Sequence, residues 1–175
     1  MLPSSRLVRM IEKHAEELTQ AAISQIFQDP RAASYHKLDA HEYHSRVFAV
    51  VHNFGKWLDS ESDTAMEAAY RKLGRKRFRE GIPLAEVVCA LMLTKQTIRH
   101  FIHTDGWMDS ALELSQQAEL YNLISRFFDR AIYFTVLSYE EQARAAVDTA
   151  ESPAPQKRWF AAGWGSKKAV GPMCL

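Results

Sequence analysis

The chain is poor in the features that staple small secreted proteins or span bilayers. It has two cysteines, Cys89 and Cys174, far apart and in different contexts. A disulfide framework is therefore not expected, and a reducing cytoplasm is the default compartment. The N-terminal stretch MLPSSRLVRMIEKHAEE turns charged at once and has no apolar core of signal-peptide length. The longest apolar run, Ala131 to Leu137, is broken by Thr135 and falls far short of the ~20 residues a spanning helix needs. The C-terminus Met173-Cys174-Leu175 lacks the cysteine position that prenylation requires. No charge sign dominates, with 22 Lys and Arg against 21 Asp and Glu. Net charge thus points to neither nucleic acid nor an acidic ligand, and only a local patch could.

Catalytic signatures are missing as well. There is no phosphate-binding glycine loop and no nucleophile elbow. His41-Glu42-Tyr43-His44 lacks the spacing of a zinc protease. No strand-like segment and no internal repeat is visible. These absences favour a protein that works by binding a partner, without enzymatic activity and without a cofactor.

What is present is helical. A length of 175 residues and an apolar content of 47% fit one domain with a real core. The spacing predicts an all-α fold of five main helices. The first runs from about Ser5 to Gln28, with Leu7, Ile11, Ala15, Leu18 and Ala22 on one face, and ends at Asp29-Pro30. A polar connection leads to Asp39, which caps a second helix with Glu42 in capping-box position. That helix reaches Leu58 on the stripe Tyr43, Val47, Val50, Val51, Phe54, Trp57. A break at Ser60–Asp63 precedes the third helix, which stops at Gly81, a natural residue just past a helix end. Pro83 fits the first position of a fourth helix carrying Leu84, Val87, Val88, Leu91, Ile98 and Ile102, which ends at Asp105-Gly106. The fifth helix, from about Asp109 to Val147, is long for a globular protein.

The fifth helix carries two apolar stripes side by side: Tyr121, Ile124, Phe128, Ala131, Thr135, Ser138 and Leu120, Leu123, Phe127, Phe134, Leu137. One stripe suffices to close a core. The second points to a homodimer, with Tyr121, Ile124, Phe128, Ala131 and Thr135 as the expected contacts, or else the Leu120, Phe127, Phe134 stripe. A central helix wrapped by its own domain is the competing reading. Leu73, Phe78, Leu84, Val88, Phe127, Phe128 and Phe134 are expected in the core.

The third helix carries a basic run. At about 100° per residue, Arg71, Lys72, Arg75, Lys76 and Arg79 share one side, while Met66, Ala69, Tyr70, Leu73 and Arg77 share the other. The basic side reads as a solvated face near a helix C-terminus before it reads as a nucleic-acid surface. Arg77 points inward and calls for a buried or interfacial ion pair. Of seven histidines, only His14 falls within its helix's apolar face, so it is the weak candidate for a haem or metal ligand; a hydrogen-bonded core histidine is the favoured reading. Cys89 reads as a small buried hydrophobe. After Thr149 the prolines Pro153 and Pro155 end helical structure, and residues 150–175 read as a flexible tail whose aromatic and basic tips, Trp159, Phe160 and Trp164 among them, could dock on a partner or a membrane surface. The domain boundary is accordingly set at 149.

Two stretches together resemble a known family. Gly74-Arg75-Lys76-Arg77-Phe78-Arg79-Glu80-Gly81-Ile82-Pro83-Leu84-Ala85-Glu86-Val87-Val88 is similar to its basic-helix, glycine, proline junction, and Arg126-Phe127-Phe128-Asp129-Arg130-Ala131-Ile132-Tyr133-Phe134-Thr135-Val136 to its long-helix motif. The family is the RsbRD N-terminal domain, the sensory half of stressosome co-antagonist proteins and of some histidine kinases. The resemblance covers about residues 5 to 147. It implies a globin-like helical domain that generally lacks haem, dimerises and passes a signal to an output domain. No such output domain follows residue 150 here, so the expected role is a stand-alone sensory or adaptor domain acting on a separate signalling protein. A haem- or small-ligand-binding sensor is the alternative, and nucleic-acid binding ranks third.

Overall fold

In the computed structural model, the described residues are 5–59, 63–105 and 111–151, and no strand occurs among them. They form seven α-helices and one 3₁₀ helix: α1 (Ser5–Lys13), α2 (Ala15–Gln28), the 3₁₀ helix (Pro30–Lys37), α3 (Ala40–His52), α4 (Phe54–Asp59), α5 (Asp63–Arg79), α6 (Leu84–Asp105) and α7 (Ala111–Glu151). The fold is all-α with a long C-terminal helix, as the apolar spacing requires.

Two of the five expected helices are split, and the two breaks share a cause. At His14 the ring Nδ1 lies 2.9 Å from the carbonyl of Met10, four residues back. At Asn53 the side-chain amide donates to the carbonyl of Ala49 at 2.9 Å, again four residues back. His14 sits at φ −99°, ψ 22° and Asn53 at φ −109°, ψ 28°. A side chain that competes for the i−4 carbonyl bends the helix at its own position. The expected polar connection after Asp29 is instead a 3₁₀ helix that buries Ala32 and Tyr35.

Other boundaries follow local chemistry. Asp39 caps α3 by accepting from the Glu42 amide at 2.7 Å. The reciprocal half of the capping box is absent, because the Glu42 carboxylate turns to Lys76 and Arg46. Past α5, Gly81 takes φ +69°, its amide reaches the Phe78 carbonyl, and the Ile82 amide reaches the Arg77 carbonyl. That pair of bonds is the Schellman closure, which needs a left-handed residue and so favours glycine. Pro83 stands one position earlier than expected: its carbonyl accepts from Val87, which makes it the cap of α6 rather than its first residue.

The core is one cluster. Leu7, Ile11, Leu18 and Ile26 from α1 and α2 meet Val47 and Val51 from α3, Ile98 and Ile102 from α6, and Leu120, Ile124, Phe127 and Phe128 from α7. The pairing of α5 with α7 is the most extensive in the fold. It is also the closest: a Cβ on Gly74 would overlap Ser138 Oγ and the Thr135 carbonyl oxygen, so only glycine lets the two backbones meet there. Of the seven expected core residues, Leu73, Phe127 and Phe128 are buried, whereas Phe78, Leu84, Val88 and Phe134 are half-buried at its edge. Ala69, placed on the inner side of the third helix by its angle, is exposed.

Candidate functional site

The 3₁₀ helix, α3, α5, α6 and α7 converge on a cavity of about 50 Å³. Its wall is almost wholly apolar: Val47, Leu73, Leu91 and Phe128 line it together with the rings of Tyr35, Tyr43 and Tyr70. The side chains of Arg46 and Arg77 complete it. Arg77 is only 2% exposed. Its Nη1 donates to Glu80 Oε2 at 2.5 Å, three residues on and just past the end of α5, so the ion pair expected for it is present. The same guanidinium lies 5.4 Å from the centroid of Tyr35 and 5.6 Å from that of Tyr43, within cation–π range of both.

Burial pushes the Tyr35 phenol up to about 12, an effect that Arg77 offsets in part. Burial likewise raises Tyr43 and Tyr70 above the ordinary tyrosine range. All three are therefore neutral hydroxyls at physiological pH, able to donate. The charges around the cavity form a closed cluster. Arg46 Nη2 approaches Glu42 at 3.4 Å; Lys76 contacts the same Glu42 and lies 3.5 Å from Glu80; Glu80 also holds Arg77. Two guanidinium nitrogens, Arg46 Nε and Arg77 Nε, are buried without a hydrogen-bond partner.

Sequence periodicity placed Tyr43, Tyr70 and Arg77 on inward faces but did not bring them together. Tyr35 falls in the stretch that reads as a polar connection, and the apolar stripe of the second helix does not include Arg46. A signal did exist: Tyr43 and Arg46 stand three residues apart on one helix, and Tyr70 and Arg77 seven apart on another, so each inward face carries a phenol and a cation in register.

The expected dimer stripe lies elsewhere than supposed. Ile124, Phe128, Ala131 and Thr135 are each at most 1% exposed within a single chain, and Tyr121 is half-buried, its hydroxyl directed at the Arg99 carbonyl. Neighbouring helices of the same chain cover this stripe. The alternative stripe divides. Leu120 and Phe127 are buried, while Leu123, Phe134 and Leu137 remain half-buried at its outer edge. The outer side of α7 instead exposes Leu112, Leu114, Tyr133 and Val147.

The basic side of α5 is partly neutralised. Arg71 pairs with Glu141 of α7 at 2.8 Å and with Glu67 at 3.6 Å, and Lys76 is held by Glu42 and Glu80. Arg79 folds back on the Arg75 carbonyl at 3.3 Å, and Lys72 is exposed. Two of the five basic side chains, Arg71 and Lys76, are thus paired with carboxylates, and Lys72, Arg75 and Arg79 pair with none among the described residues.

His14 is half-buried at the bend between α1 and α2, with its ring 5.2 Å from Phe101 and one nitrogen engaged by the Met10 carbonyl. It does not line the cavity. His41 and His52 are exposed, and His44 meets Glu16 at 2.9 Å. Among the described residues, no group of three or more His, Cys, Asp or Glu converges as a metal site would require. Cys89 is half-buried, and burial raises its thiol. Trp159, Phe160 and Trp164 lie outside the described residues.

No helix among the described residues is long and apolar enough to cross a membrane. No curated protein and no solved structure matches the chain. A family model does match, over residues 9–152, and that span takes in the second half of α1 and every later helix, the arginine–tyrosine cavity and both stretches on which the resemblance rested. The chain belongs to the family described as the RsbT co-antagonist protein rsbRD N-terminal domain, a signalling domain of the stressosome type.

Proposed function

We propose that this domain is a cytoplasmic, non-enzymatic sensory or adaptor module that forms a homodimer along the outer face of α7 and signals by binding a separate protein. The observation that carries the proposal is the distribution of exposed apolar side chains. Of the five large ones among the described residues, Met92, Leu112, Leu114, Tyr133 and Val147, four lie on α7. Leu112, Tyr133 and Val147 stand at multiples of seven residues with charged Glu119, Arg126 and Glu140 between them, and half-buried Leu123 and Leu137 fall on the companion positions of a two-helix contact. Apolar groups in such a row are costly to leave in water, and a symmetric pairing is the commonest way to cover them. The α7 residues after Ala143 are all exposed up to Thr149, so the end of this helix is free to pass a change in pairing to a partner. The aromatic tail residues Trp159, Phe160 and Trp164 are a second proposed contact for that partner, on the strength of their composition.

Sedimentation of the full chain at micromolar concentration should report about twice its 20.0 kDa. Tyr133→Glu combined with Leu137→Glu should return it to the monomer without loss of helical circular dichroism. A clean monomer for the unsubstituted chain would overturn the reading. Small-ligand sensing is a second reading, favoured by the apolar-walled cavity beneath α5.

A further inference from the structure

We propose that the cavity between the 3₁₀ helix, α3, α5, α6 and α7 is a binding site for one small, uncharged, apolar molecule, a dissolved gas or one of the shortest hydrocarbons. The proposal rests on the small-ligand reading and gives it a ligand class. It is independent of how α7 pairs, which sedimentation tests separately.

The first observation is the wall. Val47, Leu73, Ala90, Leu91 and Phe128 line the cavity with the three tyrosine rings. The polar ends at its border are engaged elsewhere. Arg77 Nη1 donates to Glu80, and its guanidinium lies over the Tyr35 and Tyr43 rings. Arg46 Nη2 reaches Glu42, and the Nε atoms of both arginines are buried. Thr94 Oγ1 turns back to the Ala90 carbonyl at 2.9 Å. Such a wall offers an occupant dispersion contacts and almost no hydrogen bonds. A buried water needs roughly two to four polar partners, so the wall favours an apolar molecule over water.

The second is size. An apolar cavity of roughly 150 Å³ stays dry and takes benzene or xenon. The cavity here is about 50 Å³, which leaves room for a xenon-sized guest and none for an aromatic ring, a haem or a nucleotide. Two other hollows are larger and bear charge or amide groups. The one between α4, α5 and α7, about 350 Å³, carries Arg126, Asp129 and Arg130. The one beside α6, about 290 Å³, carries Arg31 and Gln96. Both suit water better, and they serve as internal controls.

The third is position. Entry is from the Arg46 side, where Arg46, Val50 and Leu91 are half-buried while Tyr35, Tyr70 and Phe128 close the far wall. An occupant touches the 3₁₀ helix and four α-helices at once. Its arrival is thereby tied to how α3 and α6 lie on α5 and α7, because a close-packed interior transmits a local change in volume.

The test is methyl NMR of the full chain under rising xenon pressure. The methyls of Val47, Leu73 and Leu91 should shift and saturate, while those of Met66, Leu123 and Met92, at the two control hollows, should stay in place. Ala90→Val and Val47→Leu each add bulk to the wall and remove no charge; either should weaken the response at least tenfold. Parallel titrations with ethane and with dioxygen, read on the same methyls, separate a hydrocarbon from a dissolved gas. No saturating shift at the cavity methyls would overturn the proposal, as would an equal shift at the control methyls. An unchanged response in whichever filled variant keeps its helical circular dichroism would overturn it too, and so would silence towards both ethane and dioxygen even where xenon binds.

Discussion

The two buried sides of α5 handle polar groups in opposite ways. Where Gly74 meets α7, the buried hydroxyls are satisfied within α7 itself. Thr135 Oγ1 donates to the Ala131 carbonyl at 2.7 Å, and Ser138 Oγ donates to the Thr135 carbonyl at 3.2 Å. A hydroxyl on a short side chain can turn back to its own helix, as those of Thr135 and Ser138 do, so this seam is tight and dry. One turn further on, Arg77 enters the interior on a long side chain with five donors. One carboxylate and two ring faces satisfy only part of it, and its Nε is left over. The same helix thus packs one side for stability and leaves an unfilled polar demand on the other. The difference lies in how many donors each side chain must place.

If that contrast is right, damage should be graded. The largest loss should come from Phe128→Ala, because Phe128 is 1% exposed and lies within the α7 core stripe. A cost of roughly 3–5 kcal/mol in urea unfolding is expected, and a loss under about 1 kcal/mol would show that α7 is not core here. Gly74→Ala should follow, at about 2–3 kcal/mol, since the new methyl meets a backbone carbonyl that cannot turn aside. A neutral result there would mean that α5 and α7 part easily, and the seam would no longer be the rigid half of the comparison.

Arg77→Met should be far milder, within about 1 kcal/mol of the unsubstituted chain in dilute buffer. A buried ion pair stabilises little against an apolar side chain of similar length, and the substitution also removes an unpartnered donor. A loss of the size expected for Phe128→Ala would show Arg77 to be structural in the ordinary sense.

The smallest effect belongs to the surface. Hydrogen bonds from the Arg31 side chain and amide hold the Asp29 carboxyl at about 2, below its ordinary 3.8. A carboxyl depressed in the folded state stabilises above its unfolded value, and that contribution fades as pH falls from about 4 through about 2. Asp29→Asn should therefore flatten the fall in melting temperature across that window while leaving it nearly unchanged at neutral pH beyond the loss of an exposed cap. Parallel acid curves for the two proteins would assign the acid sensitivity to other carboxylates, with Glu42, lowered chiefly by its hydrogen bond to Lys76, the first to test.

Much of this could be read along the chain, and the unread parts have a common character. The stop at Gly81, the cap at Asp39 and the inward turn of Arg77 are local: each depends on residues within a turn or two. The breaks at His14 and Asn53 are equally local in geometry, yet they escape a reading based on apolar spacing, because the apolar stripe continues through a bend. Their signal was a polar residue with reach to the carbonyl four back, a feature that many straight helices also contain. The choice between the two stripes of α7 was not local at all. Both have the right period, and the burial of Ile124, Phe128, Ala131 and Thr135 is set by the helices that lie against them.

Helix content, most of the helix ends and the unusual length of α7 were determined by the sequence itself, because capping, glycine and proline geometry and apolar period act between near neighbours. Tertiary structure decided which stripe of α7 turned inward, since α5 could approach closely only where Gly74 faced Thr135 and Ser138. It also decided that Tyr35, Arg46, Tyr70 and Arg77, from three separate elements, would meet around one cavity. A periodic pattern fixes the direction in which a side chain leaves its helix. The neighbour it finds there is chosen by the packing of whole helices, where backbone approach and the burial of every other face must be satisfied together.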